Sequence, residues 1–258
     1  MMGDPKSFSR QRYDRFAQNY VTSRTHAQGA ELERLVALAR PQPDWIVVDV
    51  ATGGGHTALK FAPHVARVIA TDIAPRMLAK AQAFVAGQGV ENVAFELADA
   101  EDLPFEDGQF DLVTCRIAPH HFANPARFVQ ESARVLRPGG RLLVQDHLVP
   151  QDAATAHSVD TFERLRDPSH NRAFSQAGWQ TMFQAAGLSV EGVEEVVKQH
   201  DFLPWAERQG CAPETIARLE AMLAQAAEPV RRWMQPENWG TPQATFVNRH
   251  IIIVGFRG

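Results

Sequence analysis

The chain has 258 residues, 45% of them hydrophobic, enough for one large core or for one domain with an appended subdomain. Its formal net charge of −4 gives no basic face for a polyanion, which argues against a nucleic-acid partner. Cys115 and Cys211 make no disulfide framework, no run reaches the roughly 18–20 apolar residues of a membrane helix, and residues 1–10 lack the apolar core of a signal peptide, so a cytoplasmic protein without a membrane partner is expected.

Residues 8–39 read as helical, with Leu32, Leu35, Val36, Leu38 and Ala39 at helix spacing and Glu31, Glu33 and Arg34 between them. Arg40-Pro41-Gln42-Pro43 breaks that helix and leads into a strand near 45–50. A second strand lies near 67–72. Its helix starts at Ala74-Pro75, where proline suits the first turn, and ends near Gly87-Gln88-Gly89. Strands three and four lie near 92–97 and 110–115. Asn124-Pro125 reads as an N-cap with proline behind it, opening a helix that stops at Arg137-Pro138-Gly139-Gly140. Strand five spans 141–146. Strands separated by helices predict a parallel sheet with helices on both faces.

Beyond strand five the texture changes. Helices are expected over 152–166 and from Ser175 to Gly187, then a strand over about 188–200, a helical stretch over 204–235 and a last strand over 245–256. About forty residues separate the last two strands, too many for a plain turn.

The stretch Val47-Val48-Asp49-Val50-Ala51-Thr52-Gly53-Gly54-Gly55-His56-Thr57-Ala58 runs from an apolar strand through an acid and a glycine loop into a helix start. In a doubly wound sheet, ligands bind beyond the carboxyl ends of the strands, and glycine there lets a ligand approach the backbone. Asp72 ends strand two, where a carboxylate can accept from both ribose hydroxyls, or serve only as a turn residue. Ile73, next to it, is a candidate for packing against an adenine. Asp99-Ala100 follows strand three, where the acid could accept an adenine amino proton or simply cap a helix. The loop also fits the dinucleotide pattern G-x-G-x-x-A. Asp49 discriminates: a pyrophosphate gains nothing from a nearby carboxylate, whereas a cofactor bearing an ammonium and a sulfonium does. S-adenosylmethionine has both, and a nicotinamide dehydrogenase is the alternative on the same fold. Asp49 could equally act by capping the loop.

The segments 49–55, Asp72, Asp99-Ala100-Glu101-Asp102-Leu103-Pro104-Phe105 and Arg134-Val135-Leu136-Arg137-Pro138-Gly139-Gly140 resemble the motifs of class I S-adenosylmethionine-dependent methyltransferases, type 11 group, over about residues 8–190. Tyr20-Val21-Thr22-Ser23, His26 and Arg116-Ile117-Ala118-Pro119-His120-His121-Phe122 are similar to the small-molecule branch related to the ubiquinone and menaquinone C-methyltransferases. The resemblance implies a single α/β domain over 1–258. Its Rossmann-like, doubly wound sheet would have seven strands, mostly parallel with an antiparallel last strand, carrying helical caps at 148–174 and 204–235 and an N-terminal lid at 8–39. It implies Asp49 and the loop residues Ala51, Thr52, Gly53 and Gly55 at the methionine part, Asp72 on the ribose, and Asp99 with Ala100 near the adenine. Arg116 would lie by the methionine end, with Tyr20 covering the site. The quinone enzymes' N-terminal Tyr-Asp-x-Met-Asn stretch is only partly echoed by Tyr13-Asp14-Arg15-Phe16, and the Asn/Asp-Pro-Pro-Tyr/Phe stretch of nucleic-acid amino-methylases is absent after strand four.

His120 and His121 are the candidate catalytic bases, since imidazole titrates near neutrality and can take a proton from a hydroxyl nucleophile. Adjacent residues point different ways, so one of the two should face the site. Asp146-His147, at the end of strand five, is a second candidate pair. No metal is expected, because neither an i, i+4 histidine pair nor a Cys-x-x-Cys occurs. Phe162, Leu165, Phe202, Trp205 and Trp233 would either wall an apolar acceptor or pack within the cap. The expected reaction is methyl transfer to a small, partly apolar metabolite by in-line displacement, with a non-catalytic cofactor-binding module as a further alternative.

Overall fold

Short runs rich in valine and isoleucine form the parallel strands Ile46–Asp49 (β1), Arg67–Asp72 (β2), Val93–Leu97 (β3), Phe110–Arg116 (β4) and Leu136–His147 (β5). The computed structural model describes residues 30–258, with side chains from residue 31. Residues 8–29 of the expected lid, with Tyr20 and His26, lie outside the described residues. Between the strands run Ala30–Ala39 (α1), His56–Phe61 (α2), Pro75–Ala86 (α3) and Pro125–Val135 (α4). Ala153–Arg166 (α5), Gln176–Ala185 (α6), Leu188–Asp201 (β6), Phe202–Glu207 (α7), Pro213–Ala224 (α8), Glu228–Met234 (α9) and Thr245–Arg257 (β7) complete the order.

The seven strands form one sheet in the order β3-β2-β1-β4-β5-β7-β6. The first five pair in parallel, and β7 runs antiparallel to both β5 and β6, as expected for the last strand. The chain steps outward from β1 to β3 and returns to the far side of β1 at β4, which opens a crevice at the carboxyl ends of β1 and β4. Alternation along β1 sends Val47 into one core layer with Leu35 of α1 and Phe61 of α2, and Val48 into the other with Phe128 of α4 and Trp179 of α6. The N-cap at Asn124 forms as its sequence predicts: the side chain accepts from the Arg127 N–H at 3.1 Å, with Pro125 beginning α4.

Two boundaries differ from expectation. The four residues Arg137 to Gly140 do not simply end a helix. Phe110 pairs with Leu136 and Leu112 with Arg141, so the intervening residues bulge out of the ladder, with Gly139 at φ 85°. The 204–235 stretch is three helices, because Gly210 at φ 69° ends the first and Pro213 and Pro229 each open a new one.

The cap has its own core. Phe162 stacks on Trp205 with centroids 5.2 Å apart and meets Phe246 edge-on at 5.6 Å. Phe202 is buried with them, and Leu165 and Trp233 pack against the same cluster. Those five side chains therefore fill the cap itself. β6 and β7 carry it: their pairing continues to Asp201 and Thr245, whereas β5 pairs with β7 only as far as His147 opposite His250.

Candidate active site

The loop after β1 is built around Asp49, which is 1% exposed. Its two carboxylate oxygens accept from the Thr52 hydroxyl at 2.6 Å and the Thr114 hydroxyl at 2.7 Å. Burial raises its titration to about 6, opposed by those hydrogen bonds and by the charge of Arg116. Asp49 thus lies beneath the loop and shapes it, while Ala51, Thr52, Gly53 and Gly54 form the cleft wall above. Gly53 has φ 54° and nothing within 4 Å of where a Cβ would sit, leaving its backbone open to a ligand. Gly55 is a different case. A Cβ there would stand 3.1 Å from Val85 and 3.3 Å from Ala81, so this glycine lets α2 approach α3, and it lies outside the cleft wall.

Asp72 accepts the Gly53 N–H at 3.0 Å and the Ala74 N–H at 2.9 Å, which binds the tip of β2 to the glycine loop. The same carboxylate lines the cleft. Ile73, Met77 and Ala98 give that end an apolar lining, and Asp99, Ala100 and Glu101 close it. Asp99 accepts the Glu101 N–H at 2.9 Å, so it caps its loop and lines the cleft at once. Arg134 reaches the carbonyls of Leu103 at 2.9 Å and Phe105 at 2.8 Å, and its partner Glu131 accepts the Leu103 N–H at 3.0 Å. Arg134, at the start of the Arg134-to-Gly140 motif, therefore holds the loop that follows Glu101.

At the other end of the cleft, Arg116 donates to the Thr57 hydroxyl at 3.2 Å and feels the charges of Glu31 and Asp49. Glu31 of α1 also pairs with Lys198 at 2.6 Å and accepts from Gln145 at 2.9 Å, which clasps α1 across the tips of β5 and β6. Ala51 at φ 54° and Ile117 at φ 53° hold left-handed backbone at the ends of β1 and β4. For non-glycine residues such strain costs about 1–3 kcal/mol each, and both line the cleft.

The cleft encloses about 980 Å³ of empty space, its open mouth included. Its residues fit S-adenosylmethionine. A buried carboxylate whose titration burial has raised to about 6 gains from a nearby cation, an acid at the β2 tip suits a ribose, and the apolar lining suits an adenine. Three lining acids, with Asp49 beneath the loop, and one arginine suit a pyrophosphate poorly.

The two histidines part company. His121 lines the cleft, whereas His120 is buried behind it with its Nδ1 2.5 Å from Asp146. Burial pushes His120 well below the ordinary imidazole range and Asp146 up to about 7, so both neutral forms are favoured and the pair shares one proton. The His120 ring lies 4.0 Å from His121 and 4.3 Å from His147. His147 faces a separate, smaller cavity with Glu163, Trp233 and Asn248. Among the described residues no group of three or more histidines, cysteines or acids is placed to hold a metal ion.

Of the expected cofactor residues, Ala51, Thr52, Gly53, Asp72, Ile73, Asp99, Ala100 and Arg116 line one cleft. Asp49 and Gly55 support it from behind. Sequence reasoning missed Met77, which is both buried and part of the wall. It also missed Thr57, Glu31 and Lys198, whose roles depend on contacts far apart in the chain and leave no local signal.

A family model described as "Methyltransferase domain" matches residues 48–144. The methyltransferase YcgJ of Bacillus subtilis is 36% identical over 85% of this chain and 87% of its own. Its crystal structure superposes with a TM-score of 0.85, covering 89% of this chain and 99% of the other. A demethylmenaquinone methyltransferase of Thermus thermophilus is 40% identical over 49% of this chain and 59% of its own.

Proposed function

The chain belongs to the class I S-adenosylmethionine-dependent methyltransferases, and on that premise we propose that it methylates a small, partly apolar metabolite whose accepting atom must lose a proton. The family membership sets aside the dehydrogenase reading. The observation that carries the proposal is a titratable imidazole, His121, in the wall of the same cleft as the cofactor residues.

When bound, S-adenosylmethionine supplies an electrophilic methyl group on a sulfonium. Asp72 would hold the ribose hydroxyls, Asp99 with Ile73, Met77 and Ala98 would receive the adenine, and Arg116 would offer a cation to the amino-acid carboxylate. Asp49, through Thr52 and Thr114, fixes the loop and favours positive charge above it. His121 takes the acceptor's proton, and burial keeps it neutral and therefore basic at neutral pH. His120 and Asp146, stacked behind it, supply a neutral backing that can hold one proton. The rest of the work is alignment and exclusion of water. The sequence match to a demethylmenaquinone methyltransferase supports an acceptor of the quinone class. A chain with two cysteines and no disulfide framework suits a reducing, cytoplasmic setting.

The test incubates the protein with methyl-labelled cofactor and fractionated metabolite extracts, and identifies the product by mass spectrometry. A methylated small molecule is expected. His121→Gln should lower its formation about 100- to 1,000-fold while leaving S-adenosylhomocysteine binding intact. Full turnover in that variant across neutral pH would remove His121 as base, and cofactor binding with no product from any extract would leave a binding module.

A further inference from the structure

The loop between α5 and α6 reaches back to His121. Ser169 places its backbone carbonyl 3.0 Å and its hydroxyl oxygen 3.3 Å from His121 Nδ1. A carbonyl can only accept. The hydroxyl has one proton, and it donates that proton to Asp167 Oδ1 at 2.6 Å, so toward His121 it too can only accept. Both contacts therefore require a hydrogen on Nδ1.

We propose that Asp167 and Ser169 are positioning residues that hold neutral His121 as its Nδ1–H tautomer, which puts the basic lone pair on Nε2. This rests on the reading of His121 as base. Asp167 also accepts the Ser169 N–H at 2.9 Å, so one carboxylate oxygen fixes both the hydroxyl and the peptide that carries the carbonyl. The loop is fastened in turn. Asp160 Oδ1 lies 2.8 Å from His170 Nε2 and accepts the Ala173 N–H at 2.9 Å. The His120 carbonyl accepts the N–H groups of Asn171 at 2.8 Å and Arg172 at 3.1 Å, and the Asn171 side chain donates to the Phe122 carbonyl at 2.6 Å. The tautomer of the base is thus set by the cap, across 48 residues of sequence, and a displaced cap leaves the base unselected.

Among the described residues, the charged and titratable neighbours of His121 include His120 beside it, Asp146 on β5, and Asp167 and His170 on the loop. Burial lowers its proton affinity, and the charge of Asp167 is the leading opposing influence. Geometry and charge can therefore be separated by substitution.

The experiment records long-range proton–nitrogen spectra of histidine-labelled protein saturated with S-adenosylhomocysteine, with His121→Gln used to assign the signals. The wild-type spectrum should show His121 as Nδ1–H. Asp167→Ala should give a mixture with at least about one-third Nε2–H, since the freed Ser169 hydroxyl can then donate. Asp167→Asn keeps an accepting oxygen, so it should keep the tautomer while His121 titrates at lower pH. An Nε2–H wild type overturns the proposal, as does an unchanged spectrum in Asp167→Ala. The wild-type spectrum decides even if Asp167→Ala does not fold. The tautomer is read without turnover, so failure here is distinct from failure of His121 as base.

Discussion

The two halves of the cleft are built by different means. On the proposed cofactor side, the acids tie strand tips to the loops beside them: Asp72 binds the peptides of Gly53 and Ala74, Asp99 that of Glu101, and Asp49 the hydroxyls of Thr52 and Thr114. On the proposed acceptor side, the contacts join the sheet to the cap: His121 with Ser169, and the His120 carbonyl with the N–H groups of Asn171 and Arg172. The first half is a property of strand tips and depends on the sheet. The second depends on the cap's being seated on it. Cofactor binding and acceptor chemistry should therefore be separable by substitution.

The largest expected effect tests that separation. Phe162→Ala removes the central ring of the cap core and should cost about 3–5 kcal/mol. Hydrogen exchange should show the loss confined to the cap, with S-adenosylhomocysteine affinity unchanged. An equal loss of affinity would mean that the halves are one unit. Asp72→Ala should do the reverse, weakening S-adenosylhomocysteine by about 30- to 100-fold in calorimetry, as expected for about 2–3 kcal/mol of charge-assisted hydrogen bonding. Protection in the cap should persist. Gly55→Ala sharpens the boundary of the cofactor half. The left-handed φ of 82° and the contact with Val85 predict about 1–2 kcal/mol lost in denaturant unfolding. Cofactor affinity should stay within about three-fold, because the side chain would point at α3.

The smallest effect concerns pH. Burial holds the Asp49 carboxyl at about 6, above its ordinary value of 3.8, so the folded protein favours its neutral form. The stability this adds is complete below the ordinary value and is lost as pH rises through about 6. A cationic ligand favours the ionised form, so its binding should strengthen over the same interval. S-adenosylmethionine should bind about five- to ten-fold more tightly at about pH 7.5 than at about pH 5, and S-adenosylhomocysteine, which lacks the sulfonium, should change less. Equal dependence for both would show that Asp49 acts on the loop alone.

The same contrast explains what was legible in the sequence. Hydrophobic runs, proline starts and glycine stops marked every strand of the sheet, because these are short-range signals. Asp72 and Asp99 could be picked out because they stand directly at strand ends. Gly55 looked like a ligand-facing glycine, and only the position of α3 reveals it as a packing glycine. His120 and His121 were equivalent on paper. Their separate fates follow from a short turn, Pro119–His121, that directs one ring to Asp146 and the other to Ser169. Ser169 and Asp167 carried no signal, since a serine near an aspartate is ordinary loop composition. The bulge at Arg137 to Gly140 was hidden because proline and glycine mark the end of a helix and a break in a strand ladder equally well.

The overhang of β6 and β7 beyond β5 has an evolutionary side. The excursion over 202–244 leaves and rejoins this ribbon at one point, where the Phe202 N–H meets the Ala244 carbonyl at 2.9 Å. To the sheet, everything between those residues is a hairpin loop, and lengthening such a loop adds little closure entropy. A lineage could exchange this segment wholesale, as a tool head on a common handle, without disturbing one residue of the cleft wall.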